Sequence, residues 1–388
     1  MGWLVAKEIA SGAALNQSSR VNILIAPDKF KGSLSAREAA ESVAAGWLRK
    51  RAGDVLTLLP IADGGDGFAD VVARATNAEW VSMTAHDPLG RNVPCQYAWL
   101  AAERLAILET SQACGLWRLT PETLNPLRAN TFGVGQMIRH AMERGAKKVV
   151  AGLGGSATTD GGIGMAAALG FGFLRSDGRE LEAMPENLKA LARINPDSGV
   201  SPPEIVAACD VTNPLLGRQG TARIFAPQKG ATPPMVQELE NGLERLANVA
   251  TADLGVDFRD WPGAGAAGGL GFGLLTFCKA KLASGFDIVA DLIRLEERIR
   301  ESDLVITGEG RLDSQTLSGK GPAGVARIAR RFGKPVMALA GAADVEARKS
   351  GLFTSIYTLL EDAPSLDEAM RCPALWLQKT AGRAAVSL

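Results

Sequence analysis

The sequence predicts an α/β protein of two α/β domains, one of them discontinuous. Three observations carry this. Continuous apolar runs at 21–26 (VNILIA), 55–59 (VLTLL), 303–307 (DLVIT) and 335–340 (PVMALA) read as strands buried on both faces of a parallel sheet. Helical stretches alternate with them, which is the order of βαβ units. At 388 residues the chain also exceeds one ordinary core. Residues 21–82 plus 291–388 are therefore assigned to a first domain, and 83–290 to a mixed α/β domain inserted into it. Residues 1–20 precede the first convincing strand and read as a loose extension.

The elements follow in order. Pro27-Asp28 closes the first strand, and Ser35-Ala36-Arg37-Glu38 is a capping box that opens a helix running to residue 51. The strand at 55–59 runs into PIADGGDGF (60–68), after which 68–76 reads as a short helix. The insertion begins with short strands at 79–83, 93–100 and 104–109, the last two joined by a hairpin around 101–103. A helix at 129–144 leads to a strand at 147–151 and a glycine-rich loop; 204–209 is a further strand and 233–250 a helix. WPGAGAAGGLGFG (261–273) is too rich in glycine to begin as regular structure. The chain then returns to strands at 303–307, 335–340 and 355–359, with a helix at 322–332.

Composition narrows the function. Lys and Arg number 42 against 42 Asp and Glu, with no long block of one sign, so neither a nucleic-acid footprint nor a polybasic membrane patch is expected. No apolar stretch approaches the roughly 20 residues that cross a bilayer. Lys7-Glu8 breaks the apolar start, so a secretory signal is not expected either. The five cysteines form no C-x-x-C pair and read as thiols of a cytoplasmic protein. His86 and His140 are the only histidines and lack metal-ligand spacing, so zinc and histidine catalysis are not expected.

Several strands end in the same way. VNILIA runs into Asp28-Lys29, VLTLL into Asp63 and Asp66, EIVAAC into Asp210, and DLVIT into Gly308-Glu309-Gly310-Arg311. Ligands of open α/β sheets bind beyond the carboxyl ends of the strands, where such acids crowd one edge unless a cation joins them. Hard carboxylate oxygens point to Mg²⁺, held by one or two carboxylates plus substrate phosphates.

Three further clusters add donors. Gly152-Leu153-Gly154-Gly155-Ser156-Ala157-Thr158-Thr159 follows a strand and precedes a helix, a pattern whose unpaired N–H groups suit phosphate. Gly152-x-Gly154-x-x-Ala157 also fits a loose dinucleotide pattern, although the candidate acidic residue further on, Asp177, comes late and already in a turn. Gly308 through Pro322 combines a strand-end carboxylate with Arg311, Lys320 and a helix start; it is not a Walker A loop. Asp28-Lys29-Phe30-Lys31-Gly32-Ser33 could hold phosphates before the capped helix, or be a solvated turn.

With these clusters in view, the sequence resembles the glycerate kinase family. The likeness rests on IAPDKFKGSLSA (25–36), PIADGGDGF (60–68), GLGGSATTDGGIGMAAALGF (152–171), ACDVTNPLLG (208–217), GAAGGLGFGL (265–274) and VITGEGRLDSQTLSGKGP (305–322), in family order. At Lys29 the family commonly has serine. The resemblance implies a flavodoxin-like domain interrupted by a second one. It also implies ATP- and Mg²⁺-dependent phosphorylation of D-glycerate, most simply at the 2-hydroxyl.

Site roles are assigned on that basis. Asp66 or Asp313 accepts the proton of the attacking hydroxyl. Arg311 or Lys31 pairs with the substrate carboxylate, with Asp28, Lys29, Ser33, Asp63, Ser314 and Lys320 also facing substrate. Gly154, Gly155, Ser156, Thr158, Thr159 and Asn213 contact the nucleotide, and Asp63, Asp210 and Glu309 hold the metal. The partners expected are D-glycerate and ATP, in a monomer or homodimer. An NAD(P)-linked hydroxy-acid oxidoreductase and a non-catalytic metabolite-binding regulator are the rival readings.

Overall fold

The computed structural model describes residues 20–65, 67–196, 202–317 and 321–388. In chain order its two main sheets are built from β1 (Asn22–Ile25), β2 (Val55–Leu58), β3 (Glu79–His86), β4 (Asn92–Leu100), β5 (Leu105–Glu109), β6 (Lys148–Gly152), β7 (Glu204–Ala208), β8 (Lys281–Ala283), β9 (Leu304–Thr307), β10 (Val336–Ala340) and β11 (Ser355–Thr358). The chain divides into two compact units. The first holds the described residues of Met1–Asp63, Arg74–Asn77 and Phe286–Leu388; the second holds Gly64–Ala73 and Ala78–Gly285.

In the first unit five parallel strands lie in the order β11-β10-β9-β1-β2. Counted by rank within the unit from the β2 edge, this is 2-1-3-4-5, the flavodoxin order. β9 and β10 are buried throughout, as continuous apolar strands covered on both faces must be. The expected capping box is present: Ser35 Oγ accepts from Glu38 N, and Glu38 Oε2 accepts from Ser35 N at 2.9 Å. Helix Ala36–Leu48 carries the fully enclosed Trp47, whose indole N–H donates to Asp54 Oδ2 at 2.9 Å. Arg51 Nε reaches the same oxygen at 2.7 Å, which fixes the turn into β2. Ile23, Ile25, Val43, Trp47, Leu339 and Leu377 share this unit's core.

The second unit has a mixed sheet in the order β8-β7-β6-β5-β4-β3, parallel from β8 to β5 and antiparallel across β4 and β3. β3 is longer than the sequence implies, pairing with β4 from Glu79↔Trp99 to His86↔Asn92. Tyr97 is fully enclosed, and its hydroxyl meets His140 Nδ1 at 3.0 Å. The segment at 261–273 begins irregularly, as expected: 261–265 is bend and turn, and within Ala266–Cys278 the residues Ala267, Gly268 and Gly269 hold left-handed backbone angles before the helix becomes regular. Gly268 (φ +75°) lies so close to the 152–162 loop that a β-carbon there would stand 1.8 Å from Thr158 O. A β-carbon on Gly162 would likewise meet Gly273 Cα at 2.8 Å. Two glycine-rich segments thus pack main chain on main chain.

Candidate functional site

In the 2-1-3-4-5 order the strand order reverses between β1 and β9, and ligands of such sheets bind outside the carboxyl ends of those two strands. The loops leaving them are tied together, with Asp28 N donating to Gly308 O at 2.8 Å. Asp28 is only 5% exposed, and its Oδ1 accepts from Lys29 N at 2.7 Å. Lys29 Nζ stands 3.5 Å from Asp63 Oδ1, on the loop that follows β2. Burial, then the Asp63 charge, push the Asp28 carboxyl up to about 7; Lys29 opposes the rise and Glu309 adds to it. Three strand-end carboxylates therefore act on one another at the switch point.

Thr316, which nothing in the sequence reading singled out, organises the other side. Its hydroxyl donates to Glu309 Oε1 at 2.5 Å. Asp313 Oδ1 accepts from Thr316 N at 3.3 Å, and Asp313 N donates to Thr316 Oγ1 at 3.2 Å, so Asp313 caps the turn Ser314–Leu317. The D-S-Q-T spacing is a capping signature that could have flagged Thr316. Arg311 is well exposed, with Nε 3.8 Å from Asp313 Oδ2. Lys31 and Ser314 are exposed as well. Ser33 differs from expectation: its hydroxyl donates to Phe30 O at 3.0 Å and closes its own turn, so that proton is not directed at a substrate. Asp66 and Lys320 lie outside the described residues.

In the second unit the carboxyl ends of β5 to β8 carry a second set of groups. Glu109 Oε1 accepts from Ala69 N at 2.8 Å, and Asp210 Oδ1 accepts from Gly285 N at 3.0 Å. Asn213 donates one amide N–H within its own loop, to Gln219 O at 2.8 Å. Leu116 N donates to Gly155 O and Ala157 N to Cys114 O, both at 2.8 Å. Between these anchors, the amides of Gly154, Gly155 and Ser156 meet no acceptor among the described residues. Gly155 is exposed and Gly154 half-buried, so successive N–H groups are offered to an anion.

The helix that follows this loop is not the anion site expected. Asp160, fully enclosed, fills the start of helix Ile163–Ala168 with its own carboxylate. It accepts from Thr131 N (2.8 Å), Thr131 Oγ1 (2.7 Å), Gly162 N (3.0 Å) and Gly164 N (3.1 Å). Burial pushes its pKa up, and these four donors pull it back. No pyrophosphate can take that place, which weighs against the dinucleotide reading of Gly152-x-Gly154-x-x-Ala157. Thr158 and Thr159 are also corrected: both are fully enclosed, so their hydroxyls do not reach a ligand.

The donor set is hard oxygen throughout. Among the described residues no group of three His, Cys, Asp or Glu side chains is set to hold a metal by itself. The first unit thus carries an acidic switch point, and the second carries a turn whose amides are unpaired among the described residues.

The chain belongs to the glycerate kinase family, whose model matches residues 23–388. It is an enzyme, a phosphotransferase. It is 40% identical over 373 residues to "Glycerate kinase" of Bacillus subtilis (strain 168), covering 95% of this chain and 98% of that one. It is 40% identical over 357 residues to "Glycerate 2-kinase" of Escherichia coli (strain K12), covering 90% and 93%. A crystal structure described as that of a glycerate kinase 2 from Salmonella typhimurium LT2 superposes with a TM-score of 0.82 at 39% identity, covering 95% of this chain and 98% of that chain.

Proposed function

We propose that the enzyme transfers the γ-phosphoryl group of ATP to the 2-hydroxyl of D-glycerate, giving 2-phosphoglycerate and ADP, in glyoxylate or sugar-acid breakdown. The observation that carries this reading is the crowding of Asp28, Asp63 and Glu309 at the switch point of a flavodoxin-order sheet, in a chain of this family. Phosphoryl transfer asks a protein mainly for positioning and charge balance. Mg²⁺ would supply charge neutralisation, with Asp63 and Glu309 as the residues that would hold it; Asp210 is a separate candidate ligand at the strand ends of its own unit.

The remaining roles fall to the protein's own groups. The amides of Gly154, Gly155 and Ser156 receive nucleotide phosphate oxygens. Arg311 pairs with the glycerate carboxylate, its planar fork matching two oxygens, with Lys31 as the alternative. The glycerate 2-oxygen bonds to phosphorus as the bond to ADP breaks, and Asp313 or Asp66 takes the hydroxyl proton. None of the five cysteines is joined in a disulfide, which supports a cytoplasmic setting. Phosphorus NMR of the product from ATP and D-glycerate tests the reading. A 2-phosphoglycerate resonance is expected; a 3-phosphoglycerate resonance overturns the regiochemistry, and no phosphoglycerate overturns the reaction.

A further inference from the structure

Lys229 is 2% exposed and sits on the single turn Pro227–Lys229. Its Nζ donates to Ser156 Oγ at 3.1 Å and to Thr158 O at 2.6 Å, both neutral oxygens. Burying an ammonium without a carboxylate in direct contact is costly, and a methionine would fill a similar volume without that cost. The lysine makes sense as a strut. It holds one side of the 154–158 turn, while the backbone bonds from Leu116 and Ala157 hold the other. Because Ser156 Oγ accepts from Nζ, its own proton is left to donate.

We propose that Lys229 is a positioning residue for phosphoryl transfer: it fixes Ser156 and the 154–158 turn so that the amides and hydroxyl there meet the nucleotide phosphates in one arrangement. Its enclosed positive charge lies behind those donors and draws the anion toward them. This rests on the nucleotide assignment above. The titratable groups that act on Lys229 are Cys114 and Asp160. Burial pushes the Cys114 thiol up to about 12, so it stays neutral well past pH 9. Burial pushes Lys229 down to about 8, so its charge fades within reach of ordinary buffers.

The test is calorimetric titration of the full chain with ADP and Mg²⁺, beside steady-state kinetics. Lys229→Met is expected to weaken ADP binding and raise the KM for ATP by about 10- to 100-fold, the scale of a misplaced contact. The KM for glycerate stays unchanged, and Lys229→Arg recovers part of the loss. A Lys229→Met protein with parental ADP affinity overturns the role. Should that variant fail to fold, ADP affinity of the parent between pH 7 and 9.5 decides, since neutralising Lys229 is expected to weaken it about tenfold and a flat profile overturns it. A parent that binds no ADP overturns the nucleotide assignment and this role together; a parent that binds ADP beside an unaffected Lys229→Met overturns this role alone.

Discussion

The Asp28 carboxylate and Gly321 stand so close that a β-carbon on Gly321 would come 3.0 Å from Asp28 Oδ2. Gly321 opens helix Gly321–Arg331, and a negative charge there is favoured by the helix dipole. Burial and Asp63 outweigh that help and hold Asp28 at about 7.

Stability without divalent cation should therefore depend on pH through Asp28. The folded pKa, about 7, lies above the ordinary 3.8, so the contribution is fully present below 3.8 and is lost as pH rises through 7. Asp28→Asn removes this loss. In chelator, urea unfolding should find the variant more stable than the parent by about 2–4 kcal/mol at pH 8 and nearly equal to it at pH 4. Turnover should drop sharply at the same time. Parallel stability curves for the two proteins would remove Asp28 as the source.

Asp160→Ala strands the donors of Thr131, Gly162 and Gly164 inside the second unit. A loss of about 3–5 kcal/mol is expected from uncompensated burial. Chemical denaturation reads it directly, and a loss under 1 kcal/mol would mean that the four bonds are not maintained in solution.

The proton acceptor is decided by kinetics. Either Asp66→Asn or Asp313→Asn should lower kcat by about 10²–10⁴ with the melting temperature little changed. If the capping role of Asp313 is its whole role, Asp313→Asn keeps most of its turnover and Asp66→Asn carries the loss. Near-parental kcat in both would exclude this pair.

Gly268→Ala adds a methyl group 1.8 Å from Thr158 O at a left-handed backbone position. Loss of about 4 kcal/mol or more is expected, in the range reserved for core overpacking with strain. The reading is soluble yield followed by thermal unfolding; a variant that melts with the parent would mean that the seam is open in solution.

Much of the fold was legible because its signals are local. The continuous apolar runs became β1, β2, β9 and β10 within a residue or two, and the Ser35–Glu38 box caps its helix as expected. The acids leaving β1, β2 and β9 were legible for the same reason: a strand end is visible in sequence, and parallel strands bring their ends to one edge. The second unit's loop was harder. Glycines at 152–162 look alike whether they serve a ligand or a neighbouring backbone, and the neighbour, 263–273, lies far along the chain. That packing encloses Thr158 and Thr159 and turns Asp160 inward. Lys229 carried no signal beyond its type, because burial by distant segments gave it its partners, whereas Thr316 was marked only by its spacing from Asp313.

The seam between 158–162 and 263–273 also constrains how this enzyme can change. Where side chains interlock, a bulky intruder can be accommodated by trimming whatever it strikes. Here it would strike peptide groups, which no codon can shorten. Second-site suppressors of substitutions at Gly162 or Gly268 should accordingly be absent from the opposing strip, and a genetic selection would recover only true revertants at those two codons.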